Sequence, residues 1–206
     1  LPPFINRWTR AVSHWEAQWR GDVPLRPEVW DRQYAAGKWR YMAGLAELGR
    51  YSVLAGYLHG LKPGGVFLDV GCGEGLLARR LGAGSYAAYL GIDLSAVAIV
   101  QARAHGGPAT EFVQADAEVY VPDRRFDAMV FNECLYYFHD PMGTLERYLA
   151  ALTPGGIAAM SNYLGSMRAT RLIQRLKDRY APLDECTVAH DTHAWHCMVI
   201  DPARRR

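Results

Sequence analysis

Three glycines at alternate positions follow a strand-like apolar run and open a helical pattern. The run over residues 66–70 leads into Gly71, Gly73 and Gly75, and residues 76–81 carry apolar side chains at helical spacing. This order predicts a buried parallel strand, a tight glycine turn and the first turn of a helix. Glycine permits positive φ and close approach to the backbone, and a helix start offers unpaired N–H groups. We therefore expect this turn to hold a polar ligand against the main chain.

Acidic side chains stand where they could bind the same ligand. Asp93 ends the second predicted strand, where a carboxylate can accept both hydroxyls of a ribose; the alternative is an acid that only caps the next helix. Asp116 closes the third predicted strand and could accept from an adenine amine, with the Ala117 N–H donating to the ring; the alternative is an ordinary loop acid. Asp69 lies inside the first strand and would organise the glycine loop or receive a ligand's ammonium group.

Alternating strands and helices must position these residues. Strands are predicted over residues 66–70, 87–93, 111–115, 126–131 and 157–163, with helices over 45–60, 76–81, 96–104, 142–152 and 167–180. This alternation predicts a doubly wound α/β sheet with ligands at the carboxyl ends of its strands. Residues 186–190 and 195–200 are strand-like, and their link is too short for a crossover helix. The predicted fold is a Rossmann-like seven-stranded sheet with five parallel strands, a C-terminal antiparallel hairpin, helices on both faces and an N-terminal helical cap.

The N-terminal region differs in composition from the rest. Five of the six tryptophans lie within the first 39 residues, and an aromatic helix face is predicted from Phe4, Trp8, Val12, Trp15 and Trp19. This helix could pack on the main domain, form a lid over a substrate pocket, make a homodimer contact or lie on a membrane surface. We expect a helical cap over residues 1–60 and a core domain over residues 61–206.

Composition excludes several classes of protein. The 206 residues carry a net charge of +2, so only the short tail Arg204–Arg206 suggests a nucleic-acid partner, and we expect none. No apolar run reaches the roughly 18 residues of a membrane span, and the start resembles no secretory leader. The chain begins at Leu1 without methionine, so its native start can lie upstream. The four cysteines show no C-x-x-C spacing, which predicts reduced thiols in a cytoplasmic protein.

Histidines near the C-terminus raise the question of a metal site. His190, His193 and His196 lie near Cys186 and Cys197. Alternation along a strand would put His190 and His196 on one face and His193 on the other, unless the turn reorients it. The spacing is unlike that of zinc sites, and we expect no metal.

The glycine spacing helps to choose between two kinds of nucleotide ligand. The motif typical of a dinucleotide site is G-x-G-x-x-G, whose third glycine would fall at the position of Leu76. This chain instead has G-x-G-x-G. It has no basic residue between Asp69 and Leu77, so only the backbone could bind a pyrophosphate there. Together with Asp116 and the antiparallel end of the sheet, this pattern favours a nucleoside sulfonium over a dinucleotide.

The same motifs resemble those of class I S-adenosylmethionine-dependent methyltransferases. Five segments match in order: 67–75 for the first motif, 91–93 for the ribose motif, 114–117 for the adenine-side motif, 126–137 for the fourth-strand motif and 152–156 for the turn before the fifth strand. The resemblance spans about residues 60–163. It implies S-adenosylmethionine as cofactor, held by Asp69, Gly71, Cys72, Gly73, Asp93, Leu94, Asp116, Ala117 and Asn132. It also implies that Trp39, Tyr41 or Tyr51 closes over the methionine part.

Methyl transfer needs orientation of the acceptor more than acid–base chemistry, because the sulfonium is already a good leaving group. His139, beside Asp140, follows the fourth strand where acceptors bind in the family, and it is our first choice for a base; the alternative is a surface histidine at a helix start. Glu133 is the second candidate, although it is expected to shape the cofactor pocket rather than remove a proton. Trp39, Tyr136, Tyr137, His190 and His193 are the expected acceptor-binding residues.

The predicted function is methyl transfer to an oxygen or nitrogen of a small metabolite, such as a natural-product or sugar intermediate. One alternative is an RNA or protein methyltransferase that uses the basic helix over residues 168–179, whose cations are Arg168, Arg171, Arg175, Lys177 and Arg179. The other is a non-catalytic protein that only binds the cofactor.

Overall fold

The structure is a computed structural model that describes residues 26–206. The strands are β1 (Val66–Val70), β2 (Ala88–Asp93), β3 (Thr110–Gln114), β4 (Phe126–Asn132), β5 (Leu152–Tyr163), β6 (Tyr180–His190) and β7 (His193–Arg205). The helices are α1 (Pro27–Ala35), α2 (Leu45–Leu61), α3 (Leu76–Leu81), α4 (Ala96–Arg103), α5 (Pro141–Leu149) and α6 (Met167–Arg179), with short 3₁₀ turns at Arg40–Ala43 and Leu135–Tyr137.

All seven strands form one sheet in the order β3-β2-β1-β4-β5-β7-β6. Strands β1 to β5 run parallel, and β7 and β6 complete the sheet antiparallel. The central strands are apolar on both faces because a helix layer covers each side. Phe67 and Val130 pack with α2 and α3, whereas Leu68 and Met160 pack with α5 and α6. The predicted fold class is confirmed.

The fifth strand is longer than predicted, because the segment expected to be a turn lies within it. Phe126 pairs with Leu152, and the register then shifts before Ala128 pairs with Ile157. Gly155, with φ at 74°, lies in the extra residues. This irregularity lets residues 152–156 stay in the sheet although their Pro-Gly-Gly sequence is typical of a turn. Helix α5 accordingly ends at Leu149, earlier than predicted.

The C-terminal hairpin corrects the prediction about the histidines. Its turn is only Asp191 and Thr192, so His190 and His193 pair directly across the strands and share a face. His196 pairs with Thr187 and lies on the opposite face. The prediction that His190 and His196 share a face was wrong because alternation along one strand does not continue through the turn. The residue paired with His190 shares its face, and His196 lies three positions beyond that partner, on the other face.

The covering segment before β1 begins with α1, whose first residue is Pro27. The predicted aromatic helix face (Phe4, Trp8, Val12, Trp15 and Trp19) lies outside the described residues. Helix α1 packs beside α4, where Asp31 Oδ1 accepts from the Ser95 hydroxyl at 2.6 Å and from the Val97 N–H at 3.2 Å. Within residues 26–206, none of the helices combines the length and apolar character needed to cross a membrane.

Candidate functional site

The glycine loop follows β1 at the carboxyl edge of the sheet. Gly71, Gly73 and Gly75 all have positive φ, at 71°, 55° and 71°. A Cβ on Gly71 would come within 2.7 Å of Cys134 Cβ, and one on Gly75 within 2.9 Å of the Phe112 ring. Side chains at these positions would therefore both strain the backbone and collide with buried neighbours. The loop lies at the point where the strand order reverses between β1 and β4, which is where ligands bind in such sheets.

Asp93 ties the glycine loop to the end of β2. Its Oδ2 accepts from the Gly73 N–H and its Oδ1 from the Ser95 N–H, both at 2.9 Å. Burial raises the pKa of Asp93 to about 6, although these two hydrogen bonds oppose the rise. Each oxygen keeps a lone pair for a further donor, so the carboxylate can still accept from ligand hydroxyls.

Asp69 is a buried carboxylate with one partner. Its side chain is 1% exposed, and Oδ2 accepts from the Tyr89 hydroxyl at 2.5 Å. Oδ1 has no hydrogen-bond partner among the described residues. Burial raises the pKa of Asp69 to about 7. The hydrogen bond from Tyr89 counteracts this rise, and the negative charge of Asp93 adds to it. An unsatisfied buried oxygen beside the glycine loop is suited to a cationic ligand group.

Arg50 carries a fully buried guanidinium beside the same loop. Nε donates to Glu47 Oε2 at 2.6 Å, Nη1 donates to Asn132 Oδ1, and Nη2 has no partner among the described residues. The guanidinium carbon lies 4.4 Å from the centre of the Tyr51 ring. Although burial lowers it, the pKa of Arg50 stays above its ordinary value because Tyr51, Glu133 and Glu47 are close. The unpaired Nη2 is therefore a charged donor suited to an anionic ligand group.

Glu133 lies just beyond β4, next to Asn132. It adopts a left-handed conformation with φ at 59°, which is uncommon for a side chain of this type. Oε2 accepts from the Tyr136 hydroxyl at 2.9 Å, and the Ser161 hydroxyl lies 3.0 Å from Oε1 and 2.7 Å from Asn132 Oδ1. Burial raises the pKa of Glu133, while Arg50 and the two hydroxyls counteract the rise.

Residues from the covering segment lie directly over the glycine loop. The Tyr34 hydroxyl would come within 2.8 Å of a Cβ on Gly73. Tyr34, Trp39, Met42 and Tyr51 enclose, together with the loop, a cavity of only about 30 Å³. That volume holds one or two waters. A larger ligand that reaches the loop from this side therefore requires these side chains to move.

An aromatic wall continues from Trp39 towards Glu133. Trp39 stacks on Trp30 at 5.5 Å between ring centres, and Trp30 meets the edge of Tyr137 at 5.5 Å. Tyr41 lies 6.1 Å from Trp39 and is 57% exposed. Three predicted ligand-contacting residues, Trp39, Tyr41 and Tyr137, thus come together at one rim.

Other predicted residues have different surroundings. His139 is largely exposed, and its Nδ1 lies 2.7 Å from Glu118 Oε2 at the start of α5. Asp116 is exposed, and its Oδ1 accepts from the Glu118 N–H at 2.9 Å, a bond that stabilises the local turn. These contacts match the alternatives weighed for His139 and Asp116, a surface histidine and a loop acid.

The remaining predicted residues lie along the same edge. Leu94 follows Asp93 and accepts from Gln114 Nε2 at 3.3 Å, and the Ala117 carbonyl accepts from Arg147 and from the Tyr148 hydroxyl. Cys72 is a buried free thiol within the glycine loop.

The two histidines of the hairpin lie further out. His193 stacks between Tyr163 and Trp195, with ring centres 5.8 and 6.2 Å away, and His190 lies 3.4 Å from Asp191. The Trp195 ring is in turn 5.9 Å from the Arg50 guanidinium. This row of rings connects the buried Arg50 to the surface.

Two further features of the described residues bear on where a ligand or metal could bind. Within residues 26–206, no group of three or more histidine, cysteine or acidic residues is arranged to hold a metal. A wider depression of about 300 Å³ lies at the opposite edge of the sheet, around Ala88 and Thr110. Its charged lining residues are Glu111 and Arg124, which pair with each other at 3.4 Å. It therefore offers little chemistry.

Sequence reasoning missed Arg50 and Tyr34 as site residues. A signal for Arg50 existed, because Glu47 and Arg50 fall on the helical face that continues through Leu54 and Leu58 and is buried. Charged residues on an apolar helix face must find partners inside the protein. Tyr34 gave no comparable signal, since its position over Gly73 depends on how α1 packs.

The fold and this edge together define a doubly wound α/β protein whose candidate ligand site is the glycine loop at the strand ends. Residues 39–202 match the family model of a methyltransferase domain. The chain belongs to that family, as the motifs predicted.

Individual relatives are more distant. An uncharacterized methyltransferase of Mycobacterium tuberculosis is 35% identical over 99 residues, which is 47% of this chain and 50% of that protein. The ribosomal protein L11 methyltransferase of Thermus thermophilus is 31% identical over 79% of this chain and 58% of its own length. The chain thus spans about half the length of the curated relatives it matches.

The architecture also matches a solved structure. The N-methyltransferase NodS of Bradyrhizobium japonicum, in complex with S-adenosylhomocysteine, superposes with a TM-score of 0.68 over 94% of this chain and 97% of that one. At 18% identity, this likeness concerns the fold alone.

Proposed function

We propose that this protein is an S-adenosylmethionine-dependent methyltransferase acting on a small molecule. The observation that carries the proposal is the glycine loop 71–75, placed between the unsatisfied oxygen of Asp69 and the carboxylate of Asp93. Membership in the methyltransferase family and the fold shared with S-adenosylhomocysteine-bound NodS support it. The bound cofactor supplies an electrophilic methyl group on sulfur.

The residues present fit an amino-acid nucleoside. Asp69 would accept from the methionine ammonium, and the unpaired Nη2 of Arg50 would donate to the methionine carboxylate. Asp93 would accept from the ribose hydroxyls, with Leu94 and Ala117 beside the adenine. The loop itself would bring backbone N–H groups close to the ligand, since glycines keep side chains out of the way.

The acceptor site is proposed to lie between the aromatic wall and Glu133. Trp39 lines the cavity over the glycine loop, and ring contacts continue from Trp39 to Tyr41 and, through Trp30, to Tyr137. Movement of these side chains would open an aromatic-walled space for a small acceptor. Glu133 is favoured over His139 as a proton acceptor, because Glu133 neighbours Arg50 and Asn132 whereas His139 is paired with Glu118 at the surface.

A protein or RNA acceptor is the second candidate. Exposed arginines on α6 form a basic stripe of Arg168, Arg171 and Arg175, and the L11 methyltransferase is among the relatives. Binding of a mixed-sequence RNA or an acidic protein that weakens steeply with salt and is lost when these arginines are changed to alanine would favour this candidate.

Calorimetry with S-adenosylhomocysteine tests the cofactor site. Wild type is expected to bind it, and Asp93→Ala to bind about 10–100-fold more weakly, because a charge-assisted hydrogen bond contributes about 1.5–3 kcal/mol. Asp123→Ala, which removes an exposed carboxylate paired only with Arg124, is the matched control and should bind like wild type. The absence of binding to folded wild type would contradict the proposed function, and unchanged binding by Asp93→Ala would contradict only the ribose assignment.

A further inference from the structure

We infer that the acceptor is an amine, which binds as an ammonium group against Glu133 and the adjoining tyrosine faces. This inference rests on the proposed function and specifies its substrate class. The inference starts from the charged side chains around Arg50. An excess of carboxylates there favours a cationic acceptor over a neutral alcohol or a carboxylate.

The Arg50 guanidinium is close to more than one carboxylate. Arg50 bonds Glu47 through Nε and lies near Glu133, and the remaining Nη2 is the donor assigned to the methionine carboxylate. Glu47 is itself buried, at 6% exposed. With S-adenosylmethionine bound and its ammonium paired with Asp69, three carboxylates (Glu47, Glu133 and that of the methionine) are opposed by two cations, Arg50 and the sulfonium. The excess negative charge would be stabilised by a further cation, which an ammonium acceptor would supply.

Glu133 keeps hydrogen-bond acceptor capacity. The residue is partly buried, and Tyr136 and Ser161 occupy at most one lone pair on each carboxylate oxygen. The left-handed backbone at φ 59° would be easier for glycine, so the carboxylate is retained here at a conformational cost. An ammonium donates in several directions and matches such an acceptor.

Aromatic faces beside Glu133 suit the same group. Tyr41 and Tyr137 both feel the charge of Glu133, and Tyr137 also packs on Tyr136 with ring centres 4.6 Å apart. Tyrosine rings attract cations through their π faces, and a carboxylate among them strengthens that attraction. A carboxylate acceptor would meet repulsion here, and a neutral alcohol could donate one hydrogen bond but would lack the charge–charge and cation–π attraction of an ammonium.

The reaction would move one proton and one methyl group. An ammonium N–H proton passes to a Glu133 oxygen, which frees the nitrogen lone pair. That lone pair forms the new N–C bond to the methyl carbon as the C–S bond breaks, and the bonding electrons stay on sulfur. The products are the N-methylated ammonium ion, S-adenosylhomocysteine with a neutral sulfur, and a protonated Glu133, which returns its proton to water.

Several ionisable groups surround Glu133 and would shape its titration. They are Glu47 and Arg50 from α2, Tyr41 from the 3₁₀ turn before it, Cys134, Tyr136 and Tyr137 after β4, and Cys197 from β7. Of these, Arg50 is the nearby cation that favours ionised Glu133. An ammonium acceptor adds a second cation and should favour the ionised form further.

Three probes of similar shape test the inference on the S-adenosylhomocysteine complex. They are phenethylamine, 2-phenylethanol and 3-phenylpropionate, which are positive, neutral and negative at pH 7.5. We expect calorimetry to show phenethylamine binding at least about tenfold more tightly than the alcohol, and the carboxylate most weakly. Equal or tighter binding of the alcohol or carboxylate, or no binding of the amine to a complex that holds S-adenosylhomocysteine, would overturn the inference.

Two variants test whether Glu133, rather than the overall negative charge of the protein, causes the preference for the amine. Glu133→Gln should still bind S-adenosylhomocysteine but lose the preference for the amine, whereas Glu111→Gln, on an exposed edge of the sheet, should keep it. Retention of the preference in folded Glu133→Gln would overturn the role of Glu133. Because the comparison of the three probes uses wild type, a poorly folding variant does not remove the test. Loss of S-adenosylhomocysteine binding by wild type is a separate result, which contradicts the proposed function itself.

Discussion

Asp69 illustrates how one residue links ligand charge to pH. Burial raises its pKa to about 7, and Oδ1 has no partner among the described residues. A bound ammonium would favour the ionised form and lower this pKa. Burial of the Asp69 carboxylate is therefore unfavourable in the free protein, whereas in the complex the same carboxylate pairs with the ligand.

Binding of S-adenosylhomocysteine should release protons below about pH 7. Asp69, with a pKa of about 7, and Asp93, with a pKa of about 6, are partly protonated there in the free protein and ionised in the complex. The affinity should therefore fall as the pH drops from 8 to 5. Calorimetry at pH 6 and pH 8.5, in buffers of different ionisation enthalpy, measures the number of protons released.

Asp69→Asn provides the control for this linkage. The variant should bind S-adenosylhomocysteine more weakly at pH 8 and lose the part of the proton release between pH 6 and pH 7, while Asp93 still contributes at lower pH. Proton release that is unchanged in Asp69→Asn would show that another group titrates.

At the level of elements, α1 is held against α4 by one carboxylate. Asp31 accepts from the Ser95 hydroxyl and the Val97 N–H at the positive end of α4, and Tyr34 on the same helix lies over Gly73. The position of α1 therefore decides how much of the glycine loop is covered. We propose that cofactor exchange requires α1 to move.

Asp31→Ala should loosen this contact. Loss of a cap of this kind costs about 0.5–2 kcal/mol, which lowers the melting temperature by roughly 1–8 °C in a domain of this size. Dissociation of S-adenosylhomocysteine, measured by stopped-flow fluorescence, should become several-fold faster. Glu28→Ala removes an exposed acid from the first turn of the same helix; it can lower the melting temperature slightly but should leave the dissociation rate unchanged. An unchanged dissociation rate in Asp31→Ala would contradict the proposed movement of α1.

At the level of the whole molecule, Glu146 joins the C-terminal elements to α5. It accepts from Arg179 at 3.1 Å, from the Tyr180 hydroxyl at 2.6 Å and from Arg205 at 2.8 Å. These residues lie at the end of α6, the start of β6 and the end of β7. Although partial burial raises it, the pKa of Glu146 is lowered overall by Tyr180, Arg179 and Arg205.

Glu146→Gln should destabilise the protein at neutral pH by about 1 kcal/mol, or roughly 2–4 °C in melting temperature. A carboxylate with a lowered pKa stabilises above its unfolded value of 4.5, and this contribution is lost as the pH falls through the folded value. Thermal unfolding should therefore show a difference from wild type at pH 7 that shrinks near pH 3. A difference that is equal at both values would exclude the charge as its cause.

Local patterns determined much of this protein from sequence alone. The glycine loop, Asp93 and the succession of strands and helices depend on short-range signals: the apolar run of β1, glycines that need positive φ, and an acid at a strand end. Ser95 likewise begins α4 as its N-cap and accepts from the Ala98 N–H. These features are decided within a few residues of chain, so periodicity and turn chemistry suffice to predict them.

Only the tertiary structure decided which side chains meet. Arg50 and Asn132 are 82 residues apart, and the position of Tyr34 over Gly73 depends on how α1 packs on the sheet. The faces of His190 and His196 depended on a two-residue turn that determines the register of the hairpin. Such contacts arise from the packing of distant elements, which no local pattern encodes. The sequence therefore indicated the cofactor, and the tertiary structure brought together the charges from which we infer the acceptor.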